Sequence, residues 1–284
     1  MKNYKWVAAG FASFLMTSSA AFAADAAAGI LPAVSSVNGK IELATGWGNL
    51  DGFASTWAFK GGASISVPLG ERFGLQFDVA DVNAFNDNMI GATTHFFTRN
   101  PDSYLFGVIG GAAWTNKANF QYVGPEVELY MNNVSIEATA GYLNLNAAGV
   151  ASNQFYAIGD LAFYATDNMR FSIGGRSIAG FESGHVGAEY ALSDQGLPLS
   201  LTADGSIGEN GFSTANVGLK LYFGGDNKSL IRRHREDDPR NRSLDIFNGA
   251  GSAFNSNVPT KPIKCLFANP VGANQAIVPC GVLN

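Results

Sequence analysis

Two histidines are the natural place to look for chemistry. His185 follows Ser183 by two residues and His95 follows Thr93 by two, so each imidazole has a hydroxyl close by in the chain. Such a pair suits nucleophilic catalysis only if the two groups can share a hydrogen bond of about 3 Å. On an extended strand, residues two apart share one face at a separation of about 7 Å. The His-x-Ser pattern of lipid hydrolases is absent at both positions, and no third group converges to orient a base. Hydrolysis is therefore the minor alternative, His185 reads as a polar histidine near a strand end, and the chain reads as a non-enzyme. Cys265 and Cys280 are the two cysteines. With no histidine near them they do not make a zinc site, and neither metal nor cofactor is expected. In an oxidising compartment they would pair, closing a loop of about 15 residues worth roughly 3 kcal/mol.

The compartment follows from the first residues. Lys2 and Lys5, the apolar stretch Trp6 to Met16 and the small-x-small site Ala21-Phe22-Ala23 have the order of a secretory signal over 1–23. The rest of the chain is unusual for a soluble enzyme. Charged residues make up 14% of 284 and glycines number 34, yet beyond the signal no apolar run reaches the roughly 20 residues of a spanning helix. A net charge of -5 argues against a nucleic-acid binder. That charge is an average. Residues 24–225 carry 8 basic and 18 acidic side chains, whereas 226–284 carry 8 basic and 5 acidic.

Apolar residues recur at every second position instead of in runs. Period-2 segments separated by turn residues predict strands over 39–47, 57–67, 72–81, 89–99, 104–114, 120–131, 134–143, 154–164, 169–178, 185–192, 199–207 and 212–223. Val134, Ile136, Ala138, Ala140 and Tyr142 fall on one face of the seventh, and Ser135, Glu137, Thr139 and Gly141 on the other. The fifth is the weakest, because Leu105 and Ile109 make both of its faces apolar. Segments of about ten residues with one apolar face suit a transmembrane barrel, in which every backbone group pairs within the sheet. Trp47, Trp57 and Trp114 would mark one aromatic girdle, and Phe73, Phe96, Tyr104, Phe163, Phe171 and Phe223 the other. The expected fold is all-β, an antiparallel up-and-down transmembrane barrel of about 12 strands over 38–224. An N-terminal segment over 24–37 precedes it and a short irregular tail follows. A soluble β-sandwich is the competing architecture.

The twelfth segment sharpens the assignment. Asn216, Gly218, Leu221 and Phe223 occupy the defined positions of a pattern that resembles the sorting signal of Gram-negative outer-membrane β-barrel proteins, a porin-like class. Here 61 residues follow Phe223, whereas in that class the signal ordinarily ends the chain. The resemblance implies residence in the outer membrane, contact with its lipid and insertion by the barrel-assembly machinery. It implies no nucleic acid, and no oligomeric state follows from it.

Strand register assigns a set of side chains to the lumen: Glu42, Asp78, Glu126, Glu128, Glu137, Asp160, Glu189 and Asp204, facing Lys40, Lys60, Arg99, Arg170, Arg176 and Lys220, with His95 among them. An open lumen of this kind would favour cations. A narrow one would hold itself closed by pairing, since unpaired buried charge costs several kcal/mol. The expected role is a small passive channel for small solutes with mild cation preference. The alternative is a non-conducting envelope protein. The tail over 225–284 is expected in the periplasm. Its run Lys228 to Arg242 reads as a solvated linker or short helix, and Arg232-Arg233-His234-Arg235 as a contact for anionic headgroups or peptidoglycan. Docking of residues 265–280 into the barrel mouth as a plug is the lesser reading.

Overall fold

A computed structural model describes residues 31–247 apart from 53, 86, 117, 148–149, 193–196 and 225–227. The expected signal over 1–23 and the pair Cys265–Cys280 lie outside the described residues.

Twelve strands close into one antiparallel barrel in chain order. They are β1 (Asn38–Asn49), β2 (Thr56–Leu69), β3 (Phe73–Ala84), β4 (Asp87–Asn100), β5 (Tyr104–Trp114) and β6 (Ala118–Met131). The second half comprises β7 (Val134–Ala147), β8 (Val150–Thr166), β9 (Met169–Ile178), β10 (Phe181–Ala191), β11 (Leu199–Gly208) and β12 (Ser213–Gly224). Each prediction finds its strand, and the differences are at the ends. β7 and β8 run on until residues 148–149 alone connect them, so the ten-residue loop expected over 144–153 is mostly ladder. β10 begins at Phe181 because Ala179 and Gly180, both at positive φ, turn the chain tightly there.

The closing seam pairs β12 with β1 from Asn38↔Gly224 to Asn49↔Ser213. The four sorting-signal residues all lie on this seam, opposite Gly46, Ala44, Ile41 and Gly39. Gly39 has to be bare: a Cβ there would stand 2.6 Å from the ring of Phe223. The aromatic ring thus covers a glycine on the neighbouring strand.

Alternation sorts the two faces. Leu43, Phe59, Val123, Ile136, Tyr142, Ile173 and Val217 are exposed on the outside, with the tryptophans 47, 57 and 114 beside one mouth. Phe73, Phe96, Phe163 and Phe171 are exposed toward the other. No second sheet covers this apolar wall among the described residues. Outward Pro125 interrupts the β6–β7 ladder, and its carbonyl accepts instead from the Thr139 hydroxyl at 3.0 Å.

The interior is filled by the chain itself. The segment over 228–247 lies in the mouth where Asn38 and Gly224 are found. It forms one helical turn, α1 (Leu230–Arg232), which continues as a π-helical turn (Arg233–Asp237), and a second helix, α2, over 242–247. Leu230, Ile246 and Phe247 are at most 1% exposed. The expectation of a solvated linker is therefore corrected for 228–247, most of which is buried against the inner wall of the barrel. The N-terminal segment enters the same mouth: Ser35 N–H donates to Glu236 O at 2.9 Å, and Ala33 N–H to Glu71 O at 2.8 Å. At the opposite mouth the connections fold inward, and Leu50, Phe85, Phe181 and Phe212 pack together across it.

Candidate functional site: an occupied lumen

Pleating turns the charged residues of the strands inward, where three levels can be distinguished along the barrel. Nearest the chain-terminal mouth, Arg99 donates to Ala33 O at 2.7 Å and to Asp237 O at 3.0 Å. Lys40 donates to Pro239 O at 2.7 Å and is ion-paired with Asp238. Tyrosines line this level. Tyr130 donates to Glu128 at 2.8 Å and Tyr222 to Glu189 at 2.6 Å, while the Tyr164 hydroxyl meets His234 Nδ1 at 2.8 Å. Lys220 lies 2.8 Å from Glu189 and 4.0 Å from Glu42. The guanidinium of Arg233 lies over Tyr222, and that of Arg235 lies near Tyr130 and Tyr164. Within the expected headgroup cluster, Arg232 alone is exposed.

The middle level is a charge lattice. Arg242 bridges Asp160 at 2.7 Å and Glu137 at 3.1 Å. Arg240 reaches Asp160 and Asp245, each at 3.0 Å. Arg170 completes the environment of Glu137 at 2.9 Å, and His185 Nε2 that of Asp160 at 2.7 Å. Arg176 donates to Ser183 Oγ, Ser206 Oγ and the Asp245 carbonyl. His95 lies between Glu126 at 2.8 Å and Asp78 at 3.0 Å. On the side facing β11 and β12, Lys60 pairs with Asp204 at 2.7 Å, and Asn216 donates to the same carboxylate at 3.0 Å.

The third level is apolar. Ile246 and Phe247 pack into a cluster that includes Met89, Ile109, Phe120, Leu143 and Ile178. The Phe120 and Phe247 rings meet edge to face at 5.9 Å. This explains why β5 is apolar on both faces. Ile109 belongs to the cluster that holds Ile246 and Phe247, and Leu105 packs with Val34, Phe97 and Tyr130 below.

All fifteen charged or histidine side chains assigned to the lumen point inward, with Glu42, Asp204 and Lys220 the least enclosed. They do not simply pair wall to wall. Lys60–Asp204, Arg170–Glu137 and Lys220–Glu189 do, whereas Lys40, Arg99, Arg176 and Asp160 find partners on the incoming segment. Sequence reasoning missed that partner. The available signal was arithmetic: eight carboxylates against six cations leave the wall at -2, and residues 228–247, with six cations and four carboxylates, carry +2. The segment leaves a cavity of about 140 Å³ on the side of β1 and β9–β12, bounded by Glu42, Lys60, Asp204 and Lys220 among others.

The hydroxyl–imidazole pairs do not form. Ser183 accepts from Arg176, His185 binds Asp160, and Thr93 bonds with Tyr122 and Ser243. His185 is part of the buried lattice rather than a rim residue. No cluster of metal-ligating side chains occurs among the described residues.

Comparison with known proteins agrees with this architecture. No protein-family profile and no curated relative matches the chain. Among solved structures it is similar to the KdgM porin in complex with disordered oligogalacturonate, at 10% identity and a TM-score of 0.51 over 65% of this chain and 99% of that one. Its fold is that of the outer-membrane β-barrels. The NanC porin (6% identity, TM-score 0.49, 64% and 98% covered) and the outer membrane phospholipase A from Escherichia coli (12%, 0.45, 68% and 93%) also match.

Proposed function

We propose that this protein is a small passive channel of the outer membrane, inserted there through its last strand and held narrow by its own residues 228–247. The observation that carries this reading is the filled lumen. A closed barrel with an apolar outer wall and a charged inner wall offers a path across a bilayer, and the segment occupies most of it. With the segment in place the two charges cancel, and among the described residues a cavity of about 140 Å³ lies beside it for water and ions. With the segment displaced, the wall alone retains its -2 and would favour small cations. The reading is non-enzymatic: Ser183 is held by Arg176 and Thr93 by Tyr122 and Ser243, so neither is bonded to the histidine two residues on.

Planar-bilayer recording tests it. The full chain is expected to show small or rare current steps. A chain lacking residues 226–284 is expected to show larger ones, with a reversal potential shifted toward the cation. Equal currents from the two would reject the segment as the obstruction. Silence from both would leave a structural envelope barrel, the reading favoured by the ion pairs that bridge the lumen.

A further inference from the structure

We infer that the lumen is a peptide-binding site, and that residues 237–247 are its resident ligand, held in cis. Three observations converge on this. The first is how the wall holds the segment's main chain. Lys40 and Gln76 both donate to Pro239 O, Arg99 to Asp237 O and Arg176 to Asp245 O, at 2.7, 3.2, 3.0 and 3.0 Å. Four wall side chains from β1, β3, β4 and β9 thus read backbone carbonyls, a chemistry that recognises polypeptide whatever its side chains. The second is the basic pair. Arg240 and Arg242 both bind Asp160, a carboxylate with no exposed side-chain surface, and Arg242 reaches Glu137 as well. The third is the apolar seat of Ile246 and Phe247. Inward Met89, Phe120 and Leu143 have no role in a water-filled pore, but they accommodate an aliphatic–aromatic pair.

The ligand class follows from this geometry. It is a peptide with two arginines separated by one residue, helical from the second arginine onward, with an apolar–aromatic pair beginning four residues after that arginine. A tethered copy of such a peptide is present at an effective concentration in the millimolar range, so a free peptide cannot displace it at micromolar levels. The inference shares the lumen with the proposed channel, but binding is measured without current, so the two can fail separately.

The test uses the full-length chain in detergent micelles and a fluorescent peptide of residues 235–247, followed by anisotropy. Arg240→Ala/Arg242→Ala/Phe247→Ala should weaken the resident and raise affinity for the free peptide at least tenfold over the unmodified chain. Adding Asp160→Asn and Glu137→Gln on the wall should remove that gain, as should replacing both arginines of the peptide by alanine. Gel mobility before and after boiling reports barrel closure for each variant, and Phe247→Ala alone replaces the triple variant if that one does not close. Peptide binding no better than to the unmodified chain overturns the inference. So does binding indifferent to the wall carboxylates, which would mark mere partition into micelles. Peptide binding in a barrel without current would leave this inference standing and remove the channel; current without peptide binding would do the reverse.

Discussion

Arg242→Ala is the most incisive single change. Its guanidinium lies 2.7 Å from Asp160 and 3.1 Å from Glu137, and the three side chains are 4%, 0% and 7% exposed. Removing one member of a buried ion pair costs about 3–5 kcal/mol, chiefly because the stranded charge remains desolvated. Here each carboxylate keeps another cation, Asp160 with Arg240 and Glu137 with Arg170, so the lower end applies. A loss of about 3 kcal/mol in docking corresponds to roughly a hundredfold rise in the undocked population. Limited proteolysis with a protease of broad specificity reads that population, because cleavage follows the open fraction when opening and closing are fast. Cuts within 228–247 should accelerate by about two orders of magnitude while the barrel stays intact. Arg232→Ala is the control. Its side chain is 60% exposed and its pair with Glu236 is a surface one, so cleavage should change less than threefold. Restoring charge balance with Glu137→Gln in the Arg242→Ala background should recover part of the loss. If Arg242→Ala and Arg232→Ala accelerate cleavage equally, the lattice does not hold the segment and the energetic argument is wrong.

Other consequences can be checked as directly. Ile173, 61% exposed at the middle of β9, faces lipid in this reading, so Ile173→Arg should cost about 2–4 kcal/mol in urea titrations in lipid vesicles; a neutral outcome would mean that face meets water. His234 is held well below its ordinary pKa by burial, with Arg170, Lys220 and Lys40 adding to the effect of burial against Glu189, and Tyr164 and Tyr222 in contact. A lowered folded pKa means docking is strongest above about pH 6.5, the free value, and weakens below it by up to about tenfold per pH unit. Proteolysis of the segment should therefore quicken between pH 7.5 and 5.5, and His234→Gln should flatten that dependence. Lys60 neutralises Asp204 beside the residual cavity, so Lys60→Gln should shift the reversal potential of any measured current toward the cation, and an unmoved potential would place the ion path elsewhere.

Period-2 alternation made nearly all of the barrel legible, because lipid outside and charge inside require opposite residue types at neighbouring positions. Its errors were local. Asn144, Asn146 and Ser152 are as polar as loop residues, which makes 144–153 look like a loop, yet Asn144 pairs with Asn153 in the ladder and their side chains bond at 2.8 Å. Register also identified Asp160, Glu137 and Arg176 as lumen groups, but not their partners. Period 2 says which face a side chain occupies and nothing about what lies across a barrel. The run from Lys228 to Arg242 looked solvated for the same reason. A stretch this charged is ordinarily exposed, and only a wall of opposite balance makes its burial affordable.

Leu105 and Ile109 are where that wall betrayed its contents. In a barrel filled with water, an inward leucine or isoleucine gains nothing from burial, so a strand apolar on both faces looks like a poor strand. In a barrel filled with protein it is a necessary one. Ile109 is fully buried against a cluster to which Ile246 and Phe247 belong, and Leu105 against Val34, Phe97 and Tyr130. The same logic applies to Val82, Met89, Leu143 and Ile178, which also face inward on their strands and are buried together. Apolar inward positions therefore mark the level at which something other than water fills the barrel. Here the largest group gathers in the half nearer the turns at Phe85 and Ala179, where Ile246 and Phe247 are seated, and a second group around Leu105 lies against Val34 at the other end. The charged positions gather where Arg240 and Arg242 pass. The inward residues of the strands thus change from charged to apolar where the segment beside them changes from arginines to Ile246 and Phe247.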